Sequence, residues 1–161
     1  MTDRSPRVVL IVEHDELLKS LTADIMEDAG FAALQAGDAD EAVAIFESRS
    51  DIAVLLTSIT MPSSMDGWDL AHAVCKRWPA TKIVIASGKV CPIGHNLPVG
   101  SRFFLKPYRA QVMISEIRSL IGPGTKSGSW NTSSNAQKRA VLLRLASKKD
   151  AALSDGCSFQ R

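Results

Sequence analysis

Residues 8–30 read VVLIVEHDELLKSLTADIMEDAG. Val8–Val12 is an unbroken apolar run rich in β-branched residues, the pattern of a strand covered on both faces. Glu16 to Ala29 then repeats at helical spacing, with Leu17, Leu18, Leu21 and Ile25 on one side. Gly30 stands where helices commonly stop. A strand buried on both faces, followed at once by an amphipathic helix, is the opening unit of a parallel sheet with helices packed against it.

The rhythm repeats along the chain. Ala32–Ala36 reads as a weak second strand. Asp38 with Glu41 three residues on resembles a capping box and opens a helix whose buried side comes from Val43, Phe46 and the alanines between them. Ile52–Leu56 is the third strand. The loop MPSSMDG (61–67) leads from it into a helix over Trp68–Arg77, and Ile83–Ala86 is the fourth strand, bounded by Pro79 and Gly88. Arg102–Leu105 is the fifth. Val112–Leu120 closes the body as a helix, with Val112, Met113, Ile117 and Leu120 inward. Between strands four and five, GKVCPIGHNLPVGS (88–101) contains Pro92, Gly94, Pro98 and Gly100, which disfavour a long helix. The expected fold is a doubly wound, five-stranded parallel α/β sheet in three layers (α/β/α), its helix before the last strand short or missing. Chemistry in such folds sits at the carboxyl ends of the strands.

Composition agrees with one domain and an appendage. Apolar residues make up 45% and charged residues 22%, enough for a packed core. Residues 1–121 carry 12 Lys/Arg against 15 Asp/Glu, whereas residues 122–161 carry 7 against 2, so a basic appendage follows a mildly acidic body. The expected organisation is a domain over 7–121, a Gly/Ser/Thr/Asn-rich linker over 122–135 and a basic, potentially helical tail over 136–161. Within that tail Ala136–Leu153 can form a helix with Val141, Leu142, Leu145 and Ala146 as its apolar stripe, and Lys138, Arg139, Lys148 and Lys149 largely outside it. No run approaches the roughly 18–20 apolar residues of a membrane span, and the N-terminus lacks a signal-peptide core. The expectation is a cytoplasmic protein. Cys75, Cys91 and Cys157 show no paired spacing and read as free thiols.

Four segments together resemble one family: VVLIVEHD at the first strand end, LLTSITMPSSMDG at the third, VIASG at the fourth and FFLKPY at the fifth. Their order and placement are those of response-regulator receiver domains of bacterial two-component systems, which have a flavodoxin-like fold. The pattern SG…LPxGxxFLxKPY is similar to that of stand-alone alphaproteobacterial receivers with a short, Pro-containing fourth helix. The resemblance covers about residues 7–121 and does not reach the tail.

The resemblance implies a carboxylate pair at the first strand end and an aspartate at the third that bind magnesium, the aspartate accepting a phosphoryl group from a histidine kinase. Glu13 keeps the first acidic position, Ser87 the hydroxyl position, Lys106 the lysine and Phe103 the switch aromatic. Two positions depart: His14 stands where the second acid belongs, and Ser58 where the acceptor belongs. Three carboxylates and a lysine give an intact pocket a formal charge of −2, which a divalent cation neutralises. Glu13, neutral His14, Ser58 and Lys106 sum to zero. Magnesium prefers an octahedral set of oxygens with carboxylate charge, so its binding is expected to be weak or lost, and no other cofactor is expected. The expected arrangement has Ser58, His14 and Ser87 bonded to one another and Lys106 paired with Glu13 in a shallow site.

The functional expectation is therefore a non-enzymatic, phosphorylation-independent receiver that works by binding a histidine kinase, a phosphotransfer protein or another regulator, as a monomer or weak homodimer. Two alternatives stand beside it. Ser58 or His14 could accept phosphoryl, with His14 as base and Glu13 orienting it. The basic tail could bind nucleic acid or an anionic membrane surface, although it has no helix-turn-helix pattern; neither of those partners is expected. Asp15 and Asp66 read as helix N-caps rather than ligands. His72 and His95 have no zinc-like spacing and read as surface residues. Trp68 and Trp78 read as packing residues, and Ser63 and Ser64 as loop residues.

Overall fold

The computed structural model describes residues 5–88 and 96–122. Five strands, β1 (Val8–Val12), β2 (Ala32–Ala36), β3 (Ile52–Ser58), β4 (Lys82–Ser87) and β5 (Arg102–Leu105), form one all-parallel sheet in the order β2-β1-β3-β4-β5. Among the described residues four helices accompany them: α1 (Glu16–Asp28), α2 (Ala39–Ser48), α3 (Gly67–Arg77) and α4 (Ala110–Ile121). The doubly wound α/β fold expected from the sequence is thus observed. Described residues 96–101, between β4 and β5, form no helix. Residues 89–95, with Cys91 and His95, lie outside the described residues, as do the expected linker and basic helix beyond Gly122.

The period-two alternation of the strands divides the core. Val8, Leu10, Val12, Leu55, Ile83 and Ile85 face α2 and α3, where Phe46, Leu70 and Val74 meet them. Val9, Ile11, Val54, Leu56 and Val84 face α1 and α4, against Ile25, Met26, Met113 and Ile117. Each such side chain contributes roughly 1.5–3 kcal/mol on burial.

The helices start where the sequence places their caps. Asp15 accepts from the Leu18 N–H, Asp38 from the Glu41 N–H, and Asp66 from the N–H groups of Trp68 and Asp69. Glu41 reaches back to the N–H of Gly37, one residue before the cap itself. Three expected inward faces need correcting. On α1, Leu17 is exposed and Leu21 half-buried, while Leu18, Thr22, Ile25 and Met26 face the sheet. The buried stripe is therefore turned by one residue from the one that counts leucines. On α2, Ala44 is exposed and Val43 half-buried, and Ala39, Ala42 and Phe46 form the inner side. On α4, Val112 is exposed and Ile114 takes an inner place.

Gly67 brings α3 against the end of β3. A Cβ there would lie 1.9 Å from the Ser58 carbonyl oxygen and 2.7 Å from Ile59 Cα, both backbone atoms that cannot swing aside. Its N–H donates to the Ile59 carbonyl at 2.9 Å. Gly67→Ala is expected to destabilise the domain by about 3 kcal/mol, lowering the melting temperature by roughly 10 °C. A thermal melt followed by circular dichroism reads this directly; an unchanged midpoint would show that the close approach is dispensable.

Candidate functional site

Because β1, β3, β4 and β5 are neighbours and parallel, their carboxyl ends share one edge of the sheet. Val12 lies opposite Thr57, Ser58 opposite Ala86, and Ser87 opposite Leu105. The residues just beyond, Glu13 and Lys106, therefore converge with Ser58 and Ser87 on that edge. The Lys106 N–H donates to the Ser87 carbonyl at 2.7 Å and continues the ladder past β5.

Glu13 is the centre of the site, 6% exposed and fully engaged. Its Oε2 accepts from Ser58 Oγ at 2.5 Å and from Lys106 Nζ at 3.0 Å. Its Oε1 accepts from the Asp15 N–H at 3.1 Å and lies 3.2 Å from His14 Nδ1. Lys106 Nζ also donates to Ser58 Oγ at 3.1 Å, closing a triangle of carboxylate, hydroxyl and ammonium. Burial alone would raise the Glu13 pKa. The Lys106 charge, the Ser58 hydroxyl and the Asp15 N–H outweigh it and hold the carboxyl below its ordinary range.

This arrangement departs from the expected one in two respects. Ser58 does not bond His14; its hydroxyl goes to Glu13, since a charged acceptor makes the stronger bond. The His14 side chain is well exposed beside the outer oxygen of the same carboxylate. The Glu13–Lys106 pair is also not shallow, with both side chains mostly covered, so desolvation enters its balance.

Phe103, the expected switch aromatic, is half-buried and stacks on Trp68 at 6.4 Å between centroids. Trp78 stacks on Phe46 at 4.8 Å with the Arg77 guanidinium over its ring, and His72 is exposed. Among the described residues no three of His, Cys, Asp and Glu converge as a metal site, and no helix is long and apolar enough to cross a membrane.

Sequence reasoning missed one member. Beneath the triangle lies a cavity of about 40 Å³ lined by Ile11, Leu18, Thr22, Leu56 and Tyr108 with Glu13, Ser58 and Lys106 at its rim. Tyr108 is hydrogen-bonded to Thr22. Desolvation, then the Glu13 charge, push its phenol up to about 12 against the opposing effect of that bond. The signal was available: Tyr108 lies two places beyond Lys106, and Thr22 belongs to the buried stripe of α1 once that stripe is set correctly.

A parallel five-stranded sheet with a lysine, a carboxylate and two hydroxyl residues at its carboxyl edge defines a receiver-type α/β domain. The sequence profile of the response regulator receiver domain matches residues 9–118, and the chain belongs to that family, the receivers of two-component signalling. The chain is 32% identical over 80 residues to the nitrogen assimilation regulatory protein NtrX of Azorhizobium caulinodans and to an NtrX-like response regulator of Rickettsia bellii, matching 50% of this chain in both cases. The match spans 18% and 17% of those longer relatives. Among solved structures, a CheY-like receiver from Methanospirillum hungatei (24% identity, TM-score 0.67) covers 73% of this chain and 94% of its own. A receiver protein from Sinorhizobium medicae (22% identity, TM-score 0.67) covers 73% and 95%. These structural likenesses concern the fold.

The depressed pKa of Glu13 sets a pH dependence. Its contribution to stability is fully present above about pH 4.5, the ordinary value, and is lost as pH falls through the lower folded value. Glu13→Gln should flatten that acid limb. It should also cost about 1–3 kcal/mol at neutral pH, because Lys106 keeps its charge and loses its counterion. Urea unfolding between pH 3 and 7 checks both effects; parallel acid limbs in wild type and variant would show that Glu13 does not carry the dependence.

Proposed function

We propose that this receiver acts without phosphorylation, as a binding module whose state is set by its partners. The observation that carries the reading is the Glu13–Lys106–Ser58 triangle. Receiver domains typically bind magnesium at the acceptor site. Here Ser58 occupies the acceptor position and His14 the second acidic one, which leaves Glu13 as the one carboxylate of the set, already saturated by an ammonium, a hydroxyl and a backbone N–H. A divalent cation would have to displace Lys106 and would find little negative charge in return. The donor set does not fit magnesium.

The competing reading gives Ser58 the role of nucleophile. Its hydroxyl points at a carboxylate, which is the geometry of a base. The depressed pKa of Glu13 argues against that role, since a carboxylate held ionised by Lys106 is a poor proton acceptor. His14 lies beside the other oxygen of Glu13, at 3.2 Å, and offers Ser58 no bond. Histidine kinases, phosphotransfer proteins or other regulators are the partner classes, met in the cytoplasm by a monomer or weak homodimer.

Incubation with acetyl phosphate and magnesium, followed by intact-mass measurement, should leave the wild-type protein unmodified. Installing the two missing acids, His14→Asp with Ser58→Asp, should produce a magnesium-dependent phosphoryl adduct and measurable magnesium binding by calorimetry. A stable adduct on wild-type Ser58 or His14 would overturn the proposal.

A further inference from the structure

The amino-terminal edge of the sheet, at the far end of the strands from Glu13, carries a second depression. A groove of about 640 Å³ lies where the last turn of α4 meets the starts of β1, β3 and β4, lined by Arg7, Ile52, Ala53 and Lys82 with Leu120 and Ile121 as one wall. Arg7 continues the β1 ladder, since its carbonyl accepts from the Ala32 N–H at 2.9 Å. Val9 and Val84 point to the face covered by α1 and α4. Arg7 and Lys82 stand two residues before them and point the same way. Their strands flank β3 and lie about 10 Å apart. Between them Ala53 is the extra residue of a bulge: Val8 pairs with Ile52, Val9 pairs with Val54, and pairing to β4 begins at Val54. Ala53 therefore has no register partner on either side, and it adds only a methyl group to the floor of the groove.

The charge of the groove is positive. Its lining holds one carboxylate, Asp51, and Arg49 engages both oxygens of that group, at 2.8 and 2.6 Å. Arg7 and Lys82 are exposed, and neither is ion-paired among the described residues. The partial charge of about −0.5 at the end of α4 offsets only a quarter of those two cations. We propose that this groove binds a small organic acid, with its anionic group between Arg7 and Lys82 and its apolar body laid against Leu120 and Ile121. The wall alone would suit any hydrophobe and the cations alone any anion. Side by side they select a compact molecule that has both parts. The groove is separated from Glu13 by the length of β3, about 20 Å, so neither site's reading depends on the other.

Anilinonaphthalene sulfonate, an aromatic acid, is a suitable probe. Titrated into the isotopically labelled full chain and followed by nuclear magnetic resonance, it should shift the amides of Val8, Ala53, Lys82 and Ile121 and saturate at a single site. Arg7→Gln/Lys82→Gln should weaken that binding about ten-fold. Asp51→Asn, which releases Arg49, should tighten it. Uncharged anilinonaphthalene should bind the wild type about ten-fold more weakly than the sulfonate does. Both cations are exposed, and a thermal melt checks that the variants stay folded. Equal affinity for the uncharged compound would overturn the proposal, as would the absence of saturable binding or shifts confined to Leu105 and Val112. Binding that requires concentrated protein would overturn it in favour of a contact between two copies.

Discussion

A carboxylate that is 6% exposed must be compensated, and the compensation of Glu13 ties three parts of the chain together. Its partners come from the end of β3, from the residue following β5 and from the cap of α1. The N–H of Asp15 bonds Glu13 while the side chain of Asp15 caps α1, so the position of the carboxylate and the start of the helix are fixed together. A buried pair of this kind roughly breaks even against an apolar replacement, but is costly to break from one side. Its effect is therefore on which conformation the sheet edge adopts more than on how stable the domain is.

The receiver architecture is held independently of the side chains at this strand edge. The sheet is held by two apolar layers, and α3 by the close approach at Gly67. None of these needs an aspartate at position 58. What the strand edge needs is that no charge be stranded there. Glu13 and Lys106 meet that need together, and Ser58 fills the space between them with a hydroxyl that donates to one and accepts from the other.

Much of the fold was legible because its signals are local. Continuous apolar runs marked the strands, and Asp15, Asp38 and Asp66 marked three helix starts through side chains that bond the backbone two or three residues on. The helix faces were less legible. Leu17 and Val112 are as apolar as their buried neighbours, and only the position of the sheet decides which leucine or valine turns inward. The site was legible as a set of positions and not as a set of bonds. Strand-end placement brought Glu13, Ser58 and Lys106 to one edge. The choice of Glu13 over His14 as partner of Ser58 depended on distances across two strands that no local pattern encodes. Tyr108 was legible as a neighbour of Lys106 in sequence, but its place in the cavity wall is a matter of packing.

The outward faces follow from the same reasoning. In a receiver that answers to phosphate, the pocket is where information enters. Here the Lys106 ammonium is already bonded within the pocket, to Glu13 and to Ser58. On the proposed reading, a change of state comes from the surface, through contacts that stabilise one conformation over another. The α1 flank adjoins the pocket directly, since Asp15 both caps α1 and holds Glu13. Whatever settles on that flank touches the element whose start is bonded to the buried carboxylate. A surface contact there has a short physical route to the strand edge, with one residue between them.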